Sequence, residues 1–246
     1  LLGIDRGVVA VTKTDRVDAP TIERIADDIR ARLADAATDW SAIVPVSVID
    51  GTGLGALVEE LRSAVSNSVV PSTAGRRSRL FVDRVFTMRG QGTVVTGTLD
   101  TGSVAPNDRL EVCRTGDEVR IRRIQTHGEE VAIGDRGNRC ALNITGDGSE
   151  GLRRGDALVS SGAWFRTCVF DADMRVVGSS FPLRRRDGFM LHIGTSDQSA
   201  SVRVIGDETI APGSKGLVRI RFDVPLPLAP GDRFLLRDPG TATTVS

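Results

Sequence analysis

Residues 80–110 read LFVDRVFTMRGQGTVVTGTLDTGSVAPNDRL, and no other stretch of the chain says as much about the fold. Apolar and β-branched residues flank a glycine-rich segment at Gly90-Gln91-Gly92, a pattern typical of two strands joined by a tight turn. A second glycine-marked turn follows at Thr101-Gly102. The stretch therefore predicts an antiparallel hairpin that leads directly into further short strands.

The same pattern continues to the end of the chain. From residue 79 to about residue 161, turn residues recur at short intervals without helical periodicity, which predicts a small closed barrel. A second all-β segment begins near Trp164. Each segment contains a Gly-Asp pair that leads into an apolar run, at Gly155-Asp156 and at Gly231-Asp232, and we expect a tight turn at both places.

The beginning of the chain differs, because short apolar runs alternate there with helical patterns. Residues 8–11 and 43–46 predict two buried strands of a parallel sheet. Asp18-Ala19-Pro20 is typical of a helix start, and apolar residues recur at helical spacing after it. The order strand, helix, strand, helix predicts part of an α/β nucleotide-binding domain.

A polar linker, SNSVVPSTAGRRS at residues 66–78, separates these two patterns. The predicted fold class is multidomain, an α/β part followed by two antiparallel β-barrels. The predicted boundaries are 1–72 for the α/β part, 73–162 for the first barrel and 163–246 for the second.

Composition limits the function only weakly. The chain has 246 residues, 40% hydrophobic and 26% charged, as is ordinary for a globular protein. Its 32 basic and 32 acidic residues balance, so overall charge does not mark a nucleic-acid binder, although local basic patches are compatible with it. Cys113, Cys140 and Cys168 fit neither a metal-ligand spacing nor a disulfide framework, and we expect buried free thiols and a cytoplasmic location. No apolar run is long enough to cross a membrane.

The segment Thr12-Lys13-Thr14-Asp15 directly follows the first predicted strand. A strand followed by (N/T)KxD is the base-specificity motif of GTPases. An ionised Asp15 accepts hydrogen bonds from N1–H and the exocyclic amine of guanine, and adenine offers no matching pair of donors. The stem of Lys13 lies against the base. Thr12 replaces the more usual Asn, which predicts weaker binding of the base.

Ser47-Val48 follows the second predicted strand, where GTPases often carry a Ser-Ala base loop. The sequence thus predicts a guanine-nucleotide site at Thr12, Lys13, Asp15, Ser47 and Val48. The alternative is a surface turn in which Asp15 merely caps the segment that follows.

The order FxxxGxGTVVTGTxxxGxVxxxDxL, residues 86–110, resembles the first barrel of translational GTPases that carry aminoacyl-tRNA. The segments GIDRGVVAVTKTD (3–15), FVDRVF (81–86), ALNI (141–144) and LHIGT (191–195) resemble the selenocysteine-specific elongation factors. The resemblance covers essentially the whole chain. It implies that residues 1–72 are the C-terminal half of an α/β P-loop GTPase domain.

The chain contains no GxxxxGK[ST] phosphate loop, and no Mg²⁺ ligands or switch regions are recognisable. We therefore expect a fragment that does not hydrolyse GTP as given and has no catalytic or metal-binding residues of its own. The resemblance implies GTP and Mg²⁺ as cofactors of the complete protein only.

The resemblance further implies that the first barrel holds the aminoacyl end of the tRNA, with Asp83, Arg84 and Arg139 in the pocket. A selenol ionises below neutral pH whereas the serine hydroxyl does not, so fixed positive charge favours selenocysteine. We assign Arg84 and Arg139 to the selenolate. Asp83 either accepts from the α-amino group or orients an arginine. The alternative is that Asp83 and Arg84 form a surface ion pair.

Two further features are candidates for contact with the tRNA backbone. His192 lies in an apolar strand of the second barrel, where a lone histidine is more often structural. The basic run Arg184-Arg185-Arg186 is compatible with phosphate contacts and with an ordinary solvated loop.

The predicted function is GTP-dependent delivery of selenocysteyl-tRNA to the ribosome. The resemblance also implies an mRNA hairpin as a partner, bound through a C-terminal region that this chain does not supply, and no membrane partner. One alternative is another tRNA-carrying GTPase, such as elongation factor Tu or the γ subunit of initiation factor two. The other is a non-catalytic β-barrel interaction module.

Overall fold

The computed structural model describes residues 6–34, 39–66, 77–88, 92–177, 180–184, 186–240 and 244–245. The chain divides into two compact units, Leu1–Pro71 and Ser72–Ser246. Each unit is described by itself below.

The first unit has two parallel strands, β1 (Arg6–Val11) and β2 (Asp39–Pro45), and two helices, α1 (Ala19–Leu33) and α2 (Leu54–Ser66). The backbone N–H of Thr21 donates to Asp18 Oδ1 at 3.2 Å, so Asp18 is the N-cap of α1 and the predicted helix start is confirmed. A single 3₁₀ turn, Thr14–Arg16, lies between β1 and α1.

The prediction that β1 is a buried strand is wrong. Its residues are exposed or half-buried, and Ala10 is among the exposed ones. In the second predicted run, Val44 and Val46 are buried. The physical reason is that the sheet has only two strands in the described residues, and two short helices cannot cover both of its faces.

The second unit begins with a closed barrel. Its strands are β3 (Arg79–Met88), β4 (Gly92–Thr101), β5 (Ser103–Val104), β6 (Arg109–Val112), β7 (Glu118–Thr126), β8 (Glu129–Glu130), β9 (Gly134–Asp135), β10 (Arg139–Thr145) and β11 (Ala157–Ser160). The main sheet has the order β10-β4-β3-β11-β6-β7-β8, and the additional pairing of β10 with β7 closes the ring. The predicted hairpin is confirmed as β3 and β4, whereas Gly90 and Gln91 lie outside the described residues.

The second barrel contains β12 (Thr167–Arg175), β13 (Arg186–Ile193), β14 (Ser196–Ile205), β15 (Lys215–Leu226) and β16 (Leu235–Arg237), in the order β12-β15-β14-β13-β16. Val245 joins the two edges. Its N–H donates to the carbonyl of Leu236 at 2.8 Å, and its carbonyl accepts from the N–H of Val177, just after β12, at 2.8 Å.

The two barrels share one hydrophobic cluster. Phe81 and Val159 of the first barrel belong to the same buried cluster as Phe189 and Leu191 of the second. Gly194 lies against the ring of Phe81, and a Cβ at that position would come within 2.4 Å of Phe81 Cγ. The barrels are therefore packed through a close contact that only glycine permits.

Three turns share one hydrogen-bonding pattern, at residues 105–108, 153–156 and 229–232. In each, the N–H of the terminal Asp donates to the carbonyl three residues earlier, at 3.1, 3.2 and 3.1 Å respectively. The third residue has a positive φ, of 78°, 90° and 92°, which is the geometry of a type II turn. The Asp carboxylate accepts in return from the N–H of the first residue. The turns predicted at the two Gly-Asp pairs are confirmed.

Candidate functional site

The first candidate site lies at the carboxyl ends of β1 and β2. The strands are parallel, so both ends meet at one edge of the sheet, and the N–H of Val46 donates to the carbonyl of Val11 at 2.8 Å. The loops that follow the two strands are thereby held side by side. They carry Thr12, Lys13 and Asp15 on one side and Ser47 and Val48 on the other.

A side-chain hydrogen bond links the two loops, in addition to the backbone bond from the N–H of Thr14 to the carbonyl of Val46 at 3.4 Å. Ser47 is buried, and its Oγ donates to Asp15 Oδ1 at 2.7 Å while accepting from the N–H of Ile49 at 3.2 Å. Asp15 itself is exposed. Ser47 thus fixes the orientation of a carboxylate that still faces solvent.

The residues around Asp15 are exposed to solvent. Lys13 is exposed and has left-handed backbone angles, φ 62° and ψ 37°, which turn the chain sharply after Thr12. Val48 is 81% exposed. An oriented acceptor beside an exposed lysine stem and an exposed apolar side chain suits a purine base with two adjacent donors.

The second candidate site lies on the outer face of the first barrel. A β-bulge between Val82 and Arg84 places Asp83 opposite no residue of β4, and such bulges re-aim side chains. Asp83 accepts from the hydroxyl of Thr96 and from Arg139, whose Nε lies 2.9 Å from Oδ2 and whose Nη2 lies 3.2 Å from Oδ1. Arg139 Nη2 also lies 3.2 Å from Thr96 Oγ1.

Charge keeps this cluster ionised. The hydrogen bonds from Arg139 lower the pKa of the Asp83 carboxyl, aided by Thr96 and by the charges of Arg139 and Arg84, although partial burial opposes them. The same contact raises the pKa of Arg139. Arg84 is exposed and has no hydrogen bond or salt bridge within the described part of the chain.

The three residues of this cluster that sequence predicted are therefore brought together, in an arrangement that differs in part from the prediction. Arg139 is held by Asp83, so Asp83 orients an arginine here, which is one of the two roles expected for it. Arg84 is the cation of this cluster that makes no hydrogen bond to any described residue. Thr96, the hydroxyl that joins Asp83 to Arg139, was not predicted.

Comparison with known proteins shows similarity along the whole chain. A family model described as elongation factor Tu domain 2 matches residues 92–159. A selenocysteine-specific elongation factor from Desulfomicrobium baculatum is 35% identical over 250 residues, covering 100% of this chain and 39% of the relative. Another from Haemophilus influenzae is 28% identical, covering 97% of this chain and 37% of the relative.

The chain belongs to the selenocysteine-specific elongation factor family. It spans about two fifths of the length of these relatives, 39% of the Desulfomicrobium protein. An elongation factor Tu 2 from Streptomyces avermitilis is less similar, at 26% identity over 99% of this chain and 67% of the relative.

Solved structures agree on the fold. A bacterial selenocysteine-specific elongation factor, EF-Sec, superposes with a TM-score of 0.84 at 23% identity, covering 100% of this chain and 39% of that one. SelB from Methanococcus maripaludis in complex with the GTP analogue GPPNHP gives a TM-score of 0.75 at 22% identity, covering 97% of this chain and 57% of that one.

The described candidates for tRNA contact lie on β13 or just before it. His192 is half-buried on β13, beside Asp197 of β14 and Leu235 of β16. Arg184 is exposed, Arg185 lies outside the described residues, and only the backbone of Arg186 is described. Arg186 and His192 lie six residues apart on one strand, roughly 20 Å at the rise of an extended chain. Contact of these residues with the tRNA backbone therefore stays a prediction.

The most heavily bonded side chain is one that sequence reasoning missed. Arg79, with 7% of its side chain exposed, bonds bidentately to Asp100 and to Asp232 and donates to the carbonyl of Pro227 at 2.6 Å. Burial alone would lower the pKa of Arg79, but its bonds to Asp232 and Asp100 raise it above the ordinary value. Asp232 belongs to one of the Gly-Asp pairs noted in the sequence, which was the available signal for this contact.

No group of metal-ligating side chains and no helix capable of spanning a membrane is found among the residues that the structure describes. Cys113 and Cys140 are buried free thiols as expected, whereas Cys168 is only half-buried.

Proposed function

We propose that this chain is the part of a selenocysteine-specific elongation factor that recognises guanine and holds the aminoacyl end of selenocysteyl-tRNA. The observation that carries the proposal is the cluster of Asp83, Thr96 and Arg139 with the exposed cation of Arg84 beside it. The membership of the chain in this family supports it.

The chemistry of the cluster favours an anionic side chain. Arg84 keeps its guanidinium donors for an incoming selenolate, and charge-assisted hydrogen bonds are roughly twice as strong as neutral ones. Arg139 is positioned by Asp83 and adds a second, partly neutralised guanidinium. A neutral serine hydroxyl interacts only weakly with the Arg84 guanidinium and does not offset the cost of removing water from that charge. A seryl group therefore binds less well than a selenocysteyl group.

The carboxyl ends of β1 and β2 in the first unit bind the guanine base of the nucleotide. Asp15, oriented by Ser47, accepts the two guanine donors, Lys13 lies on the base, and Thr12 and Val48 complete the loops. Residues 1–72 are accordingly the C-terminal half of a P-loop GTPase domain. GTP with Mg²⁺ is the cofactor in this proposal.

The two barrels, at residues 73–162 and 163–246, hold the charged tRNA. Arg184, Arg185, Arg186 and His192 are candidates for contact with its backbone. In the cytoplasm, GTP tightens the grip on the tRNA and hydrolysis on the ribosome releases it. An mRNA hairpin is a further partner in this proposal.

Replacing Arg84 by glutamine in the full-length gene product should weaken selenocysteyl-tRNA binding by at least about tenfold, because one charge-assisted hydrogen bond to the selenolate is lost. Seryl-tRNA binding should change little, since the serine hydroxyl carries no charge. Affinities are measured with GTP present by protection of the aminoacyl ester from hydrolysis. Arg122→Gln, an exposed arginine on β7 of the same barrel, is the matched control.

Equal losses for both tRNAs would contradict the assignment of Arg84 to the selenolate. Equal affinities of the unaltered protein for the two tRNAs would favour a generic carrier of the elongation factor Tu type. Binding that is indifferent to GTP would favour a non-catalytic barrel module.

A further inference from the structure

A cavity of about 680 Å³ opens between the two barrels, and its lining includes none of the residues of the two candidate sites. The first barrel contributes the start of β3 and the end of β4, with Arg79 and Asp100. The second barrel contributes the type II turn that ends at Asp232 and the residue after it, Arg233. Trp164, between the barrels, lines one wall.

The carboxylates in this cavity are already engaged. Both oxygens of Asp100 and both oxygens of Asp232 accept from Arg79. Asp232 also accepts from the N–H of Ala229 at 2.8 Å. The lining residues contain four arginines and two aspartates, so two positive charges remain after this internal pairing.

Two of the arginines present this excess charge to solvent. Arg77 is exposed, and among the described residues its side chain makes one hydrogen bond, from Nη1 to the carbonyl of Ala163 at 2.9 Å. Arg233 is exposed and has no hydrogen bond or salt bridge among the residues that the structure describes. Both retain donors in the planar fork that suits tetrahedral anions.

Trp164 fixes one of these cations at the cavity wall. Its indole Nε1 donates to the carbonyl of Ser78 at 3.0 Å, which holds the ring in place. The guanidinium of Arg77 lies 3.9 Å from the centre of the ring and that of Arg79 lies 4.7 Å from it. Cation–π contact of this kind orients a guanidinium without neutralising its charge.

We infer that this cavity binds phosphate groups, with Arg77 and Arg233 as the ligands that contact the phosphate oxygens. Arg79 bonds both Asp100 and Asp232, so these carboxylates do not pair with Arg77 or Arg233. The indole already stacks on guanidinium groups, so recognition is through charge and not through stacking of a base. The phosphate is supplied either by an RNA backbone or by a free polyphosphate, and the experiment separates these sources.

The chain provides its own reporter for this test. It has two tryptophans and no tyrosine, so the substitution Trp40→Phe leaves Trp164 as the only strongly fluorescent side chain. In that background, Trp164 emission is titrated with inorganic pyrophosphate and, separately, with a short oligoribonucleotide. The corresponding unphosphorylated nucleosides are the uncharged control. A phosphate that draws Arg77 from the ring changes the emission.

The expected result is that Trp164 emission changes saturably with a phosphate-bearing probe and does not change with nucleosides. The affinity for the probe should fall as the salt concentration rises. Arg77→Gln and Arg233→Gln should each raise the dissociation constant about two- to fivefold, as for exposed ion pairs. Arg203→Gln, an exposed arginine of β14, should leave it unchanged. Arg84→Gln should also leave it unchanged, which separates this site from the aminoacyl site.

Saturation by the oligoribonucleotide alone assigns the site to an RNA backbone, and saturation by pyrophosphate assigns it to free polyphosphates. The inference is overturned if neither probe saturates. It is equally overturned if the Arg77 and Arg233 variants bind as tightly as the Arg203 variant.

Discussion

Replacing Arg79 by methionine should lower the free energy of unfolding of the barrel pair by about 3–5 kcal/mol, the range for removing one partner of a buried ion pair. Arg79 uses its whole guanidinium on Asp100, Asp232 and the carbonyl of Pro227. Without it, two carboxylates remain close together with no cation between them. Chemical denaturation of the second unit, followed by circular dichroism, measures the loss.

Arg219→Met is the control for this prediction. Arg219 also bonds a carboxylate bidentately, but its side chain is 46% exposed and that of its partner Asp171 is 41% exposed. The expected loss is below about 1 kcal/mol, because water replaces the contact. Similar losses in the two variants would mean that burial of Arg79 does not matter. The triple variant Arg79→Met, Asp100→Asn, Asp232→Asn should recover part of the stability, since it leaves no unpaired charge.

The second large effect is expected for Asp15, the residue that we propose contacts the guanine base. Asp15→Asn in the full-length gene product should weaken GTP binding by about 100-fold or more, because both charge-assisted bonds to guanine are lost. Xanthine has a carbonyl in place of the exocyclic amine, so the variant should gain affinity for xanthosine triphosphate. An asparagine still accepts from Ser47 through its amide oxygen, so the loop should keep its shape.

Asp18→Asn is the matched control, three residues away. Asp18 is the N-cap of α1, and asparagine caps a helix about as well as aspartate does. Nucleotide affinities, measured with a fluorescent guanine analogue, should therefore be unchanged in that variant. Unaltered GTP affinity in Asp15→Asn, or equal loss for the guanine and xanthine nucleotides, would show that Asp15 does not contact the base.

Local rules were sufficient for much of the fold. The cap of α1 and the turns at Gly155-Asp156 and Gly231-Asp232 depend on residues within three positions of one another, which a sequence displays directly. The β3–β4 hairpin likewise joins neighbouring segments. The sequence assigned Asp15 and Ser47 to the loops after two parallel strands, whose ends meet at one edge, but it did not predict the hydrogen bond between them.

Other features depend on residues far apart in sequence. Arg79 and Asp232 are separated by 153 positions, and no local pattern pairs them. Asp83 and Arg139 are separated by 56 positions and were paired only through the family resemblance. The burial of β1 was misjudged because apolar composition shows that a strand can be buried, whereas neighbouring elements decide whether it is.

The central claim is that positive charge on the first barrel selects an amino acid for its negative charge. The most direct measurement is the ratio of selenocysteyl-tRNA to seryl-tRNA affinity for the full-length protein with GTP, from neutral pH down to about pH 5. Asp83 stays ionised over this range, because Arg139 holds its pKa below an ordinary value near 4, and the arginines stay protonated. The account predicts that the ratio falls as the selenolate is protonated. A ratio that stays constant while the selenolate titrates would contradict it.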